Sequence, residues 1–230
     1  LHRLVGQAQW LFRRGNAGFS YLNTLAAPQR ISGLVDFPGD SSPLFDAVYA
    51  LSNQRRDYFH SVDFSLRQPI GTQYEWMVSY MRSSARTNGV VDRNIDEPLI
   101  VANNTGPLPW DTPNRWMSWG FLPTPFKNWS IAHLFESRTG FPFTVQDQQG
   151  RVPGVVNDHR FPNFFELNLF LERQMVIRGY KLGIRGGFIN ITGHDNPNVV
   201  NNIMGSPLYL QTKGGQRRAL NFRVRFLGKG

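Results

Sequence analysis

Few residues in this chain stand at spacings that do chemistry. The five histidines, His2, His60, His133, His159 and His194, are dispersed, with no His-Glu-x-x-His or comparable metal-binding spacing. His194-Asp195 offers an adjacent pair that can touch a metal, but two polar neighbours in a loop are satisfied more simply by water. Gly183-Ile184-Arg185-Gly186 has the form of the Gly-x-x-Gly loop that clamps an RNA backbone, and Arg185-Gly186-Gly187 that of an RGG box. Both fall inside a run of alternating apolar and polar residues, where small side chains serve close packing. Asn103, Asn128 and Asn190 each open an N-x-[ST] sequence; the turn and strand-end positions of the last two make chance the reading. Asp147 among Gln146, Gln148 and Gln149 makes a polar loop tip able to contact a sugar or a chelate, which loop polarity alone also explains. A hydrolase would need a serine and a histidine at fixed geometry, and no sequence spacing supplies one. The expectation is a protein that is not an enzyme and holds no cofactor or metal.

Composition narrows the class. Cysteine is absent, which excludes a disulfide framework, Cys-based zinc sites and thiol catalysis. The 25 Lys and Arg outnumber the 16 Asp and Glu, a formal charge of +9 that raises nucleic acid as a partner. The basic residues are, however, scattered singly along alternating segments, so their expected place is a polar interior or rim and no nucleic acid is expected. Abundant Phe, Tyr and Trp with many Gly, Pro and Asn suit strands joined by turns and loops, not helices. No apolar run approaches the roughly 18 residues of a transmembrane helix. Transmembrane strands remain open, because their signal is alternation over about ten residues.

That alternation predicts about nine strands near Leu4–Phe12, Ala17–Thr24, Tyr58–Arg67, Gln73–Ser83, Arg115–Leu122, Trp129–Arg138, Phe164–Arg173, Lys181–Ile191 and Arg218–Leu227. The short connections are Arg13–Asn16, Pro69–Thr72, Pro123–Asn128 and Gln174–Tyr180. The long ones are Leu25–Asp57, Ala85–Asn114, Thr139–Asn163 and Thr192–Arg217. Short and long alternate strictly, so an up-and-down meander would gather every short turn at one end and every long, structureless loop at the other.

Compact water-soluble domains seldom carry several such loops on one side, whereas outer-membrane barrels pair short periplasmic turns with long extracellular loops. The fold class expected is therefore all-β: a partial, antiparallel, up-and-down transmembrane β-barrel forming one domain over residues 1–230. The competing expectation is a soluble β-sandwich or barrel that binds carbohydrate, and an outer-membrane enzyme is a third. On the barrel reading, Glu166, Asn168, Glu172, Lys181, Arg185, Arg223 and Arg225 face the lumen. Trp10, Phe12, Trp116, Trp119, Trp129 and Phe226 lie near strand ends as interfacial aromatics. Single-chain bacterial barrels close with an even strand number, and the sequence already alternates at Leu4, so further strands are expected upstream.

Several stretches carry a family likeness: Ile177–Pro197 (IRGYKLGIRGGFINITGHDNP), Ala102–Arg115 (ANNTGPLPWDTPNR), Arg138–Asp147 (RTGFPFTVQD) and the final RFLGKG. Together they resemble the C-terminal barrel of TonB-dependent receptors, and within these the Oar-like group with its carboxypeptidase-regulatory-like N-terminal domain. The likeness covers essentially the whole chain as the last nine or so strands of the family's barrel. It implies a bacterial outer-membrane location, with membrane lipid and the barrel assembly machinery as partners. It also implies coupling to the TonB complex through an N-terminal part, and uptake of a bulky ligand such as a siderophore, glycan or peptide. The signal peptide, TonB box and plug of the family would lie upstream. One departure concerns the end of the last strand, where the family usually stops on an aromatic. Here Phe226 is followed by Leu227, Gly228, Lys229 and Gly230, which puts its role as an assembly signal in doubt.

Overall fold

The computed structural model describes residues 4–23, 49–89, 100–101 and 105–229. The described chain is all-β. Eight long strands follow one another: β1 (Val5–Asn23), β2 (Tyr49–Ile70), β3 (Tyr74–Thr87), β4 (Asn114–Pro123), β5 (Trp129–Arg138), β6 (Phe164–Ile177), β7 (Tyr180–Ile189) and β8 (Ala219–Lys229). They pair in sequence order, each antiparallel to the next, and a ninth strand of two residues, Gly106–Pro107, adds to the end of β3. The sheet is a meander with β1 and β8 at its two edges and is not closed.

The first two expected strands are one. Leu4–Phe12 and Ala17–Thr24 belong to the single strand β1, and Arg13–Asn16 is not a turn. Arg13, Arg14 and Gly15 continue the ladder opposite Phe59, Tyr58 and Asp57, and the register then shifts between Gly15 and Gly18 and again before Ser20. Ala17 takes a positive φ of 57° at the first shift. A β-bulge absorbs extra residues in this way while the strand continues. The alternation of connections survives the merger, since the chain now runs long, short, long from β1 onward.

The turns follow from their residues. Arg178 and Gly179 form a two-residue hairpin between paired Ile177 and Tyr180, with φ of 49° and 76°. Positive φ at both positions is the twist-matched type I′ geometry, and it lets β6 run on to Ile177, beyond its expected end at Arg173. Residues 71–73 join β2 to β3, and 124–128 join β4 to β5. In the second turn the Thr124 hydroxyl accepts from the Phe126 amide at 3.2 Å.

Register divides the sheet into two faces of opposite chemistry. Ala8, Phe64, Tyr80 and Trp116 lie side by side on one face, as do Leu122, Ile131, Leu171, Gly186 and Phe222. The other face carries Gln7, Ser65, Ser79, Met117, Glu136 and Glu166 in one row and Ser130, Glu172, Arg185 and Arg223 in another. Burial runs opposite to a water-soluble sheet. On the apolar face Trp10 is 72% exposed and Leu220 74%. On the polar face Ser61, Ser83, Ser130, Asn168 and Glu172 are buried. Among the described residues no second layer covers the apolar face.

The long connections are ordered where they are described, contrary to the structureless loops expected. The connection 24–48 lies outside the described residues. Ile100–Val101 pairs with Arg151–Val152 and Gln146 bridges to Ile203, joining the other three, while Pro142–Phe143 with His159–Arg160 and Val199–Val200 with Thr212–Lys213 are ladders closed within a single connection. The buried side chains of Val145, Val152 and Val156 give this cap a small apolar centre.

Candidate functional site

The polar face is built on β6, β7 and β8 by period-two alternation, and it gathers the residues expected in the lumen. Glu166, Asn168, Glu172, Lys181, Arg185, Arg223 and Arg225 all project from this one face. Glu172 stands directly opposite Arg185, which stands opposite Arg223. The Glu172 side chain is only 2% exposed, and its Oε1 accepts from Arg225 Nη2 at 2.5 Å. One carboxylate thus sits among three guanidinium groups. Arg185 also lies over the Phe170 ring, 4.0 Å from its centroid. Gly187 is required beneath that ring, since a Cβ there would come within 2.1 Å of the Leu169 carbonyl oxygen.

Elsewhere on the same face the charges are matched locally. Arg67 Nη2 meets Glu75 Oε2 at 2.5 Å, and Glu136 Oε1 accepts from Arg115 Nε at 3.0 Å and from Arg138 Nε at 3.3 Å. Glu166 accepts from Asn168 Nδ2, and Asn168 Oδ1 accepts from the Asn190 amide at 2.7 Å. Asn190 itself is fully buried, its Nδ2 donating to the carbonyls of His194 and Gln216. The N-x-[ST] sequence at Asn190 is therefore a structural anchor joining β7 to its following loop.

Above this face the loops fold across the ends of the strands. Asp111 Oδ1 accepts from the Ala85 amide at 2.6 Å, its Oδ2 is held by Arg160, and Ser83 Oγ donates to the Thr112 carbonyl. Asn157 Nδ2 donates to Pro107 O and Asn202 Nδ2 to Thr144 O, tying the three described loops to one another. The Asp147 carboxylate accepts from the amides of Gln149 and Arg151 and closes its own turn. Gly183–Gly186 lies within β7, paired on both sides, so it is not the free loop that clamps RNA.

The aromatic expectations divide. Trp10, Phe12, Trp116, Trp129 and Phe226 belong to the apolar face, with Tyr80 and Trp116 rings at 4.5 Å and Tyr180 and Phe226 at 5.5 Å. Trp119 does not. It pairs with Met77 and Leu134 in the row of Asn168, on the polar face. It stands three positions after Trp116, and an odd spacing along a strand reverses the face.

One arrangement was not legible in the sequence. On the apolar face Ser118 Oγ lies 3.1 Å from His133 Nε2, and Trp76 Nε1 donates to the same hydroxyl at 3.1 Å. Gly120 admits the imidazole, because a Cβ there would stand 2.7 Å from His133 Cε1. The pair forms only through the register of β4 on β5 across residues 124–128. Compared with known proteins, the chain matches no family model, no curated protein and no solved structure. Among the described residues no group of three or more His, Asp or Glu side chains is placed to hold a metal ion.

Proposed function

We propose that this chain is the C-terminal part of the β-barrel of a TonB-dependent outer-membrane receptor of the Oar-like group, serving uptake of a bulky ligand. The observation that carries the membrane reading is the inverted burial: large apolar side chains left bare on one face, opposite a polar one on which Ser61, Ser83, Ser130, Asn168 and Glu172 are buried. An apolar wall of this extent is stable in lipid and costly in water, at about 25 cal/mol per Å² left exposed. Long loops gathered at one end and two- to five-residue turns at the other support the same reading. In lipid, open edges leave backbone groups unsatisfied at several kcal/mol each, so β1 and β8 require strand partners that would complete a barrel. The receptor identity rests on the sequence likeness, above all Ile177–Pro197.

In this reading the polar face lines the lumen and would meet a plug, and the interlocked loops form an extracellular cap that recognises the ligand. Chemistry on the ligand is no part of this role. The test uses the intact protein. It should stay with the membrane pellet after high-salt and alkaline washing, need detergent for extraction, and migrate differently on gels before and after boiling. Release without detergent would refute the membrane reading and favour the soluble carbohydrate-binding module instead. An upstream reading frame encoding a signal peptide and plug would support the receptor identity, and a frame lacking both would overturn it.

A further inference from the structure

Trp76, Ser118 and His133 form a hydrogen-bonded polar trio on the apolar face, and an ionisable group at membrane depth is by default a candidate for function. We propose that Ser118 and His133 form a catalytic dyad that cleaves acyl esters of membrane lipids at the outer face of the sheet. The inference rests on the reading that this face meets lipid.

Three features carry it. The first is the pair itself. With the ring proton of His133 on Nδ1, Nε2 accepts the Ser118 hydroxyl proton across 3.1 Å, the arrangement a general base needs to activate a serine. The second is what surrounds it. A groove of about 570 Å³ crosses β1 to β4 on the same face, lined by Gly6, Ala8, Phe64, Leu66, Tyr80 and Trp116. It is bordered by Val78, the direct cross-strand partner of Ser118. The groove offers apolar walls and small residues at one end, which fits an acyl chain. The third is depth. Ser118 lies one pleat below Trp116, whose ring packs on Tyr80. One pleat is about 7 Å along a strand, or roughly 5 Å vertically at a tilt near 45°. On the expectation that Trp116 is an interfacial aromatic at the headgroup boundary, the hydroxyl lies near the level of lipid ester groups.

The reaction balances without a further reactant beyond water. Ser118 Oγ bonds to the ester carbonyl carbon as its proton passes to His133 Nε2. Trp76 Nε1–H, already beside Oγ, is the donor available to the developing oxyanion. The ester C–O bond breaks, and the departing alkoxide takes the proton from the imidazolium. Water then attacks the acyl carbon as Nε2 takes its proton, the C–Oγ bond breaks, and the imidazolium returns that proton to Ser118 Oγ, releasing a fatty acid and restoring the dyad.

The experiment uses intact protein purified from membranes. A fluorophosphonate probe should add to Ser118, located by mass spectrometry, and mixed micelles of diacylglycerophospholipid should yield free fatty acid. Ser118→Ala should abolish both readings, and His133→Asn should lower each by about 100-fold or more. Trp76→Phe should slow turnover by about 100-fold, the usual loss for one oxyanion donor, while probe addition persists at a reduced rate. Retention of the heat-dependent gel shift by each variant separates lost chemistry from lost folding. Membrane-embedded protein that neither takes up the probe nor releases fatty acid overturns the dyad and leaves the receptor reading standing. So does activity that survives in Ser118→Ala. A protein released without detergent overturns the lipid-ester assignment together with the membrane reading.

Discussion

The carboxylate of Glu172 is the most deeply buried charge among the described strand residues of the polar face, and Glu172→Gln tests how that face is held. The side chain is 2% exposed and its partner Arg225 42%. Breaking a fully buried pair costs about 3–5 kcal/mol, whereas an exposed pair is worth about 0–1. The mixed exposure places this pair between the limits, near 2 kcal/mol. The loss is sharpened because Arg185 and Arg223 occupy the same row and are left facing Arg225 with no negative charge among them. A change near 2 kcal/mol is about a thirtyfold shift toward the unfolded state. Urea unfolding of the intact protein in detergent micelles, followed by tryptophan fluorescence, would read it. Arg225→Gln in the Glu172→Gln background should then cost at least about 1 kcal/mol less than it does alone. A Glu172→Gln protein within about 0.5 kcal/mol of the parent would refute the reasoning, since surface substitutions typically fall in that range.

Other perturbations separate the remaining claims. Leu171→Arg, on the apolar face, should cost about 2–4 kcal/mol if that position lies in hydrocarbon, and almost nothing if the face meets water; the same unfolding assay decides. Gly187→Ala would force a Cβ to within 2.1 Å of the Leu169 carbonyl oxygen and 2.6 Å of Phe170 Cα. Backbone cannot yield as a side-chain tip does, so assembly into the membrane should fall sharply, and unchanged yield would contradict the packing described. Asp111→Ala removes the acceptor for the Ala85 amide and the partner of Arg160. Limited proteolysis within residues 139–163 should accelerate about tenfold as the cap opens locally, and the Ala85 amide left unpaired in β3 should cost the sheet about 1–3 kcal/mol. An unaltered digestion pattern would show that Asp111 does not hold the cap.

How far the sequence discloses this fold depends on the distance over which each feature is decided. Phe165, Leu167, Leu169 and Leu171 alternate with Glu166, Asn168 and Glu172, so their faces follow from local geometry alone. The polar face follows from the same rule. Trp119 could have been excluded from the apolar face by its odd spacing from Trp116, a matter of parity along one strand. Arg13–Asn16 is harder. Glycine and asparagine beside charged residues are the marks of a turn, and a bulge uses the same residues and the same positive φ, here at Ala17. What separates the two is whether the far strand continues alongside, and Asp57, Tyr58 and Phe59 do so from more than forty residues away in the chain.

Ser118 and His133 lie further still from local inference. Each is an ordinary polar residue within its own strand, and only the pairing of Pro123 with Ser130 brings them to hydrogen-bonding distance. A shift of that register by one residue would send one of the two to the opposite face and dissolve the pair. The turn at residues 124–128, with the Asn128 φ of 65° and the Thr124 hydroxyl holding its backbone, therefore determines whether this sheet has a serine–histidine contact at all. Chemistry that depends on register is invisible to spacing rules, because the distance that matters is measured across strands and not along them.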